Sequence, residues 1–244
     1  MPRTEITRDR LKNHWQYSKA IYIIGIAAAV LLSALVYTMI TNRAPANRFS
    51  VNIALVRSYS NTDKLEADRA ELLARGQAFD DTLQAVSFIG VAYEGNPETD
   101  DTSASQLYTV QLYAADNDIF IQNEKLTRSL IEMGGCKPLE EMDEFISFTA
   151  RYPDIGLLRA AEPGTGETDE EGNVLSEAIE HVYAIDISTL TGFIDRQAMD
   201  NRGMYACLLS NSANPETSMY VLGQMFDLLT PAAAEADASG AENE

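Results

Sequence analysis

Apolar residues along this chain follow three patterns, and the longest is an unbroken run from Ala20 to Ile40, AIYIIGIAAAVLLSALVYTMI, without a charged residue. As a helix rising about 1.5 Å per residue it reaches roughly 30 Å, the thickness of a bilayer's hydrocarbon core, with every backbone N–H and C=O satisfied inside the segment. Trp15, Tyr17 and Lys19 precede it, Tyr37 lies in its far end and Arg43 follows, residue types that sit at membrane interfaces. A core helix this long in a soluble protein shows a polar face, and this run has none. It predicts a transmembrane helix over residues 20–40, with membrane lipid as its partner. A cleaved signal peptide fits less well. The apolar core outlasts the roughly 7 to 15 residues of such peptides, and Tyr37-Thr38-Met39-Ile40 fills the place of a small-residue cleavage site.

The second pattern is short β-branched or alternating stretches, which predict strands. These are Ser50 to Arg57 (SVNIALVR), Leu83 to Tyr93, Asp118 to Gln122, Ile155 to Ala160, His181 to Ile187 and Met204 to Leu209. The third is helical spacing between them. Asp63-Lys64-Leu65-Glu66 opens a helix that runs to Arg75 and stops at Gly76. Ser105 to Ala115 alternates as a strand would, yet Leu107, Val110 and Ala114 fit one helical face, and the helix is the reading taken. Asn123 caps a helix with face Leu126, Leu130 and Met133, ended by Gly134-Gly135. Glu140 to Ala150 places Met142, Phe145, Ile146 and Thr149 on one side until Pro153 breaks it. Ser188 caps a short helix with Leu190, Phe193 and Ile194. Asn214-Pro215-Glu216 supplies a cap, a first-turn proline and a first-turn acid for a last helix with core face Met219, Leu222, Phe226 and Leu229. Strands alternating with helices predict an α/β domain with a mixed, largely parallel sheet. No internal repeat appears.

Charge orients this layout. Residues 1–19 hold Arg3, Arg8, Arg10, Lys12 and Lys19 against Glu5 and Asp9, so the positive-inside rule keeps that tail in the cytoplasm and places the rest outside the cell. The whole chain has 18 Lys plus Arg and 37 Asp plus Glu; beyond the tail 13 face 35, a formal charge of −22. Such an excess repels nucleic acid and anionic lipid surfaces and argues against DNA binding. The expected organisation is a basic cytoplasmic tail (1–19), the transmembrane helix (20–40), a stalk (41–48), one extracellular α/β domain (49–230) and a disordered acidic tail (231–244).

Candidate chemistry is sparse. His14 falls on the cytoplasmic side and His181 outside, and a Cys-His nucleophile pair would need His181 with Cys136 or Cys207, neither of which sits in a strained turn. A disulfide between Cys136 and Cys207 would close a long loop; two separately buried thiols fit the same apolar flanks. Glu167, Asp169, Glu171, Gly172 and Val174 place oxygen donors around a glycine much as a calcium loop does, but Ala178 stands where a bidentate glutamate belongs, and a solvated acidic loop explains the same residues. Asp80-Asp81, Asp100-Asp101 and Glu140-Glu141 are carboxylate pairs, but sequence neighbours do not ordinarily converge on a substrate. Tyr108, Tyr113, Phe120, Phe145 and Phe148 lie in apolar elements and are expected in the core. No catalytic, metal or cofactor-binding residue is assigned, and no cofactor.

Two stretches resemble a known family. Leu107 to Leu139, LYTVQLYAADNDIFIQNEKLTRSLIEMGGCKPL, is similar to the helix, acidic turn, D-[IV]-[FY]-[IV] strand and following helix of type II extracellular solute-binding proteins. MYACLLSNSANPETSMYVLGQMFDLL, from Met204, is similar to the segment with which those proteins reintroduce the chain into their first lobe. The overall layout resembles Gram-positive membrane proteins with a basic tail, one helix and one solute-binding-like domain outside. The resemblance implies a sheet like one lobe of such a protein. Only about Glu140 to Asp200 is left for a second lobe, and no ligand residue of the family maps onto a position here. The expected function is a non-catalytic binding or interaction module of the cell envelope, whose partner is a membrane protein, a wall component or a small molecule. The alternatives are an extracytoplasmic hydrolase using acidic residues and a scaffold of an envelope assembly.

Overall fold

The computed structural model describes residues 23–34, 37, 45–96, 98, 100–114, 116–165 and 178–230. The chain divides into two compact units, Met1–Ala44 and Pro45–Glu244. In the first, residues 23–34 are helical and solvent-exposed. Among the described residues no helix is long and apolar enough to cross a membrane; the remainder of the predicted span, apart from Tyr37, lies outside the described residues, as do residues 1–19 and 231–244.

The second unit is an α/β domain built on one six-stranded sheet. Its strands are β1 (Ser50–Val56), β2 (Ala85–Val91), β3 (Ile119–Asn123), β4 (Leu157–Ala161), β5 (Glu180–Asp186) and β6 (Met204–Leu208). Its helices are α1 (Glu66–Phe79), α2 (Thr102–Tyr113), α3 (Glu124–Glu132), α4 (Asp143–Arg151), the one-turn α5 (Gly192–Asp195) and α6 (Pro215–Leu229). Across the sheet the order is β2-β1-β3-β6-β5-β4. β1 pairs parallel with β2 (Ile53 opposite Phe88) and with β3 (Ile53 opposite Ile119). Crossovers between parallel strands are right-handed, and the step from β1 to β2 runs opposite to the step from β2 back to β3, so α1 and α2 land on opposite faces.

The period-2 alternation of the strands feeds two cores. Val51, Ile53 and Leu55 of β1 point into one with Leu72 of α1, Phe145 and Phe148 of α4, and Met219, Leu222, Phe226 and Leu229 of α6. Ala54 and Val56 point into the other with Phe120, Cys207, Tyr108 of α2, and Leu126 and Leu130 of α3.

Parallel pairing is confined to the β2-β1-β3 end, where the sequence pattern predicts it for most of the sheet. β3 with β6, β6 with β5, and β5 with β4 are antiparallel. The connection from β5 to β6 holds only the four-residue α5, too short a helix to carry the chain back along the sheet for parallel pairing. The stretch from Glu140 to Asp200 makes no second lobe among the described residues, because β4 and β5 extend the same sheet.

Local departures have identifiable causes. The first helix begins with a 3-10 turn, Thr62–Leu65, and continues through Gly76 to Phe79. A Cβ on Gly76 would stand 2.5 Å from a Leu83 methyl, so the glycine lets that side chain pack closely against the helix and does not stop it. Asn214 makes no side-chain cap on α6; its amide donates to the carbonyls of Asn47 and Ser50 and ties the helix start to β1. Of the residues predicted to face the core, Leu107, Val110, Met133, Ile146 and Ile194 face outward, and so does the aromatic Tyr113. Phe148, not Ile146, fills the interior beneath α4, stacking edge-on to Phe226 at 4.9 Å.

Candidate functional site

β1 leads to α1 on one face and β3 leads to α3 on the other, so the carboxyl ends of these adjacent strands diverge and leave a crevice, where open α/β sheets ordinarily present ligand sites. Arg57 follows β1 directly and reaches across this edge. Its Nε lies 3.6 Å from Glu94 Oε1, its Nη2 lies 3.8 Å from Asp200 Oδ2, and its Nη1 donates to Met204 Sδ at 3.6 Å. Glu94 is placed by Ser58 N–H, which donates to its carboxylate, and by Asn123 Nδ2, which donates to its backbone carbonyl at 2.9 Å. The same Asn123 caps α3 by accepting from Leu126 N–H, so one residue ends β3, starts α3 and fixes the Glu94 loop.

Asp200 is held more tightly. Arg202 donates to it from Nε at 2.9 Å and from Nη2 at 2.7 Å, and these bonds keep the Asp200 carboxyl far below the usual carboxylate range. Between them Asn201 is buried and donates to the carbonyls of Ile187 and Leu190, which anchors the turn entering β6. Asn61 N–H donates to Ala198 O at 2.7 Å and joins this turn to the loop after β1.

Beside the ion network is an open groove of about 590 Å3, lined by Tyr59, Ile194, Gln197, Met199, Asp200 and Arg202. That volume is within the range of small-molecule sites. Tyr59 is 61% exposed and Ile194 45%, so the apolar wall faces water. Gln197 has φ of 57°, a left-handed backbone that a side chain disfavours and that surroundings must impose. The groove joins an apolar wall to an ionic floor, and its lining contains no nucleophile paired with a base. With Asp200 ionised and doubly held, the floor offers hydrogen-bond acceptors and guanidinium donors.

The residues weighed for chemistry lie elsewhere. His181 Nδ1 is 2.7 Å from Glu140 Oε1, and its Nε2 is 3.9 Å from Glu162 Oε2, so both ring nitrogens face carboxylates and not a thiol. Cys136 and Cys207 are buried free thiols in the core beneath α2 and α3, and the neighbouring Cys207 thiol together with burial pushes the Cys136 thiol up. Asp80 accepts from Thr82 and Thr217, Asp100 accepts from the backbone of Glu94 and Asn96, and Asp101 caps α2 at Ala104 N–H. Each of these carboxylates is engaged in a turn or cap. Gly134, at φ of 70°, ends α3 in the left-handed conformation that favours glycine. Glu167 to Val174 and His14 lie outside the described residues. Among the described residues no three His, Cys, Asp or Glu side chains are grouped to hold a metal ion.

Arg57, Glu94, Asp200 and Arg202 are the site residues that the sequence pattern did not single out. No protein-family model matches the chain, and neither does any curated protein or solved structure.

Proposed function

We propose that this chain is a single-pass membrane protein, amino terminus in the cytoplasm, whose α/β domain acts outside the cell as a non-catalytic binding or interaction module. The location is supported by the uncharged run Ala20 to Ile40 with its basic flank. One observation carries the role: the ionisable groups at the sheet's carboxyl edge, Arg57, Glu94, Asp200 and Arg202, are engaged with one another beside an exposed apolar wall. Such a site recognises a ligand or a protein surface and moves no proton. The return of β6 and α6 to the sheet beside β3 supports the likeness to one lobe of a solute-binding protein. In that reading the groove stands where a lobe–lobe cleft would be.

Location and role are tested separately. Protease added to intact cells is expected to digest residues 45–230 and spare a tag on residue 1, while alkaline carbonate leaves the intact chain in the membrane. Recovery of the chain as a soluble protein overturns the anchor. For the role, a melting-temperature screen against amino acids, short peptides and sugars is expected to find a stabilising solute whose effect is lost in Tyr59→Ala. No shift with any solute and no crosslink to any protein in membranes overturns the binding module.

A further inference from the structure

Cys136 and Cys207 are the only cysteines in the chain, and the fold brings them to one place. Gly135 O accepts from Ser210 N–H and Lys137 N–H donates to Leu208 O, each at 2.9 Å, which sets Cys136 opposite Leu209 as an antiparallel pair just past β6. This is the non-hydrogen-bonded kind of pair, in which facing side chains come closest. Residues two apart on a strand share a face, so Cys207 lies diagonally across from Cys136. Both side chains enter the core that also holds Phe120, Leu130 and Leu209, with Cys136 5% exposed and Cys207 0%. The Cys207 thiol is the largest influence that raises Cys136, ahead of burial, so the two sulfurs are neighbours and not separately buried.

We propose that in the extracellular domain Cys136 and Cys207 are joined by a disulfide. The inference rests on the location proposed above, because structural disulfides persist outside the cell and are rare in the cytoplasm. A thiol buried only for packing needs no second thiol beside it. The bridge closes the loop from 136 to 207, which carries α4, β4, β5 and α5. Closing so long a loop removes freedom from the unfolded chain, in a domain whose excess negative charge favours expansion. The bond forms when Cys207 Sγ turns from Phe120 O, which it meets at 3.6 Å, toward Cys136. Oxidation proceeds by exchange with a disulfide donor of the envelope. One cysteine thiolate attacks a donor sulfur and releases the other as a thiolate; the second cysteine then displaces the donor from the mixed disulfide. The donor gains the two electrons and two protons that the cysteines lose. Both thiols are buried once the core has closed, so the exchange precedes the docking of β6, and the finished bond is sealed from reductants.

The test uses the full chain in its own membrane. Cells are quenched in acid, the chain is dissolved in detergent and denaturant, and its thiols are counted with a polymer-tagged maleimide before and after reduction. The expected result is no tag before reduction and two after it, with one tag before reduction in Cys136→Ser and in Cys207→Ser. Any tag on the parent chain before reduction, or a reducible product of twice the chain mass, overturns the disulfide. A second arm shows which premise failed: the purified full chain is refolded in detergent with a glutathione redox buffer. Closure there alongside free thiols in cells places the failure on the location, whereas free thiols in both place it on the pair and leave the location standing.

Discussion

Asp118 and Asp200 carry the same side chain and are pushed in opposite directions. Asp200 sits at the surface between Arg57 and Arg202, and charge-assisted hydrogen bonds hold its proton off. Asp118 is 2% exposed at the start of β3, where it accepts from Asn52 N–H at 2.9 Å and from the Ser212 hydroxyl at 2.6 Å; burial outweighs these bonds and raises its pKa. The two shifts have opposite consequences for stability. Below 3.8 the Asp118 carboxyl is protonated in folded and unfolded chains alike. Between that value and its raised folded value the unfolded chain gives up the proton and the folded one keeps it, so stability falls as pH rises through the window. Asp118→Asn lacks this loss. Urea unfolding of both chains from acid to neutral pH is expected to show the variant gaining on the parent as pH rises, and a constant difference would refute the buried charge.

Among elements, the contact of α5 with the end of α6 depends on a missing side chain. A Cβ on Gly192 would lie 2.8 Å from Leu229 O and 2.9 Å from Leu229 Cα, and backbone atoms there cannot swing aside. Gly192→Ala is expected to cost about 1–3 kcal/mol, read as a lowered urea midpoint. Because α5 carries Ile194, the same change is expected to disturb the groove while leaving α2 in place. These elements also show what could be read from sequence. The spacing of Met219, Leu222, Phe226 and Leu229 gave α6 the centre of its buried face, since that helix packs against α1 and α4, but Val221, Gly223 and Met225 are buried beside it as well. The spacing of Leu107 and Val110 gave α2 a face but not its direction, because periodicity states that apolar side chains share a side and not that the fold covers it. The groove was invisible for a different reason. Its ion network joins residues near 57, 94 and 200, which the parallel pairing of β1 with β2 and the placement of β6 beside β3 bring together. The local signals were slight: a charged residue directly after a buried strand, and the Asp200-Asn201-Arg202-Gly203 turn before the last one.

At the scale of the whole molecule, charge works against compactness. Beyond residue 19 the chain holds 35 acidic and 13 basic residues, and much of that negative charge repels itself when folded. The Debye length is about 10 Å at 0.1 M salt. Raising sodium chloride from 10 mM to roughly 0.2 M is therefore expected to raise the melting temperature of the chain, as screening relieves repulsion more than it weakens the exposed ion pairs. A fall would show that pairs such as Arg57 with Glu94 and Asp200 outweigh the repulsion.

The strand that divides the parallel end of the sheet from the antiparallel end is the last one made. β6, at Met204–Leu208, lies between β3 and β5, with only α6 to follow it among the described elements. Until residues 204–208 are in place, both of those strands present bare hydrogen-bonding edges to each other and to any neighbouring unfolded chain. A premature stop just upstream of Met204 would thus not trim a terminus but withdraw the middle of the protein, and the truncated product is expected to aggregate or be degraded at the membrane.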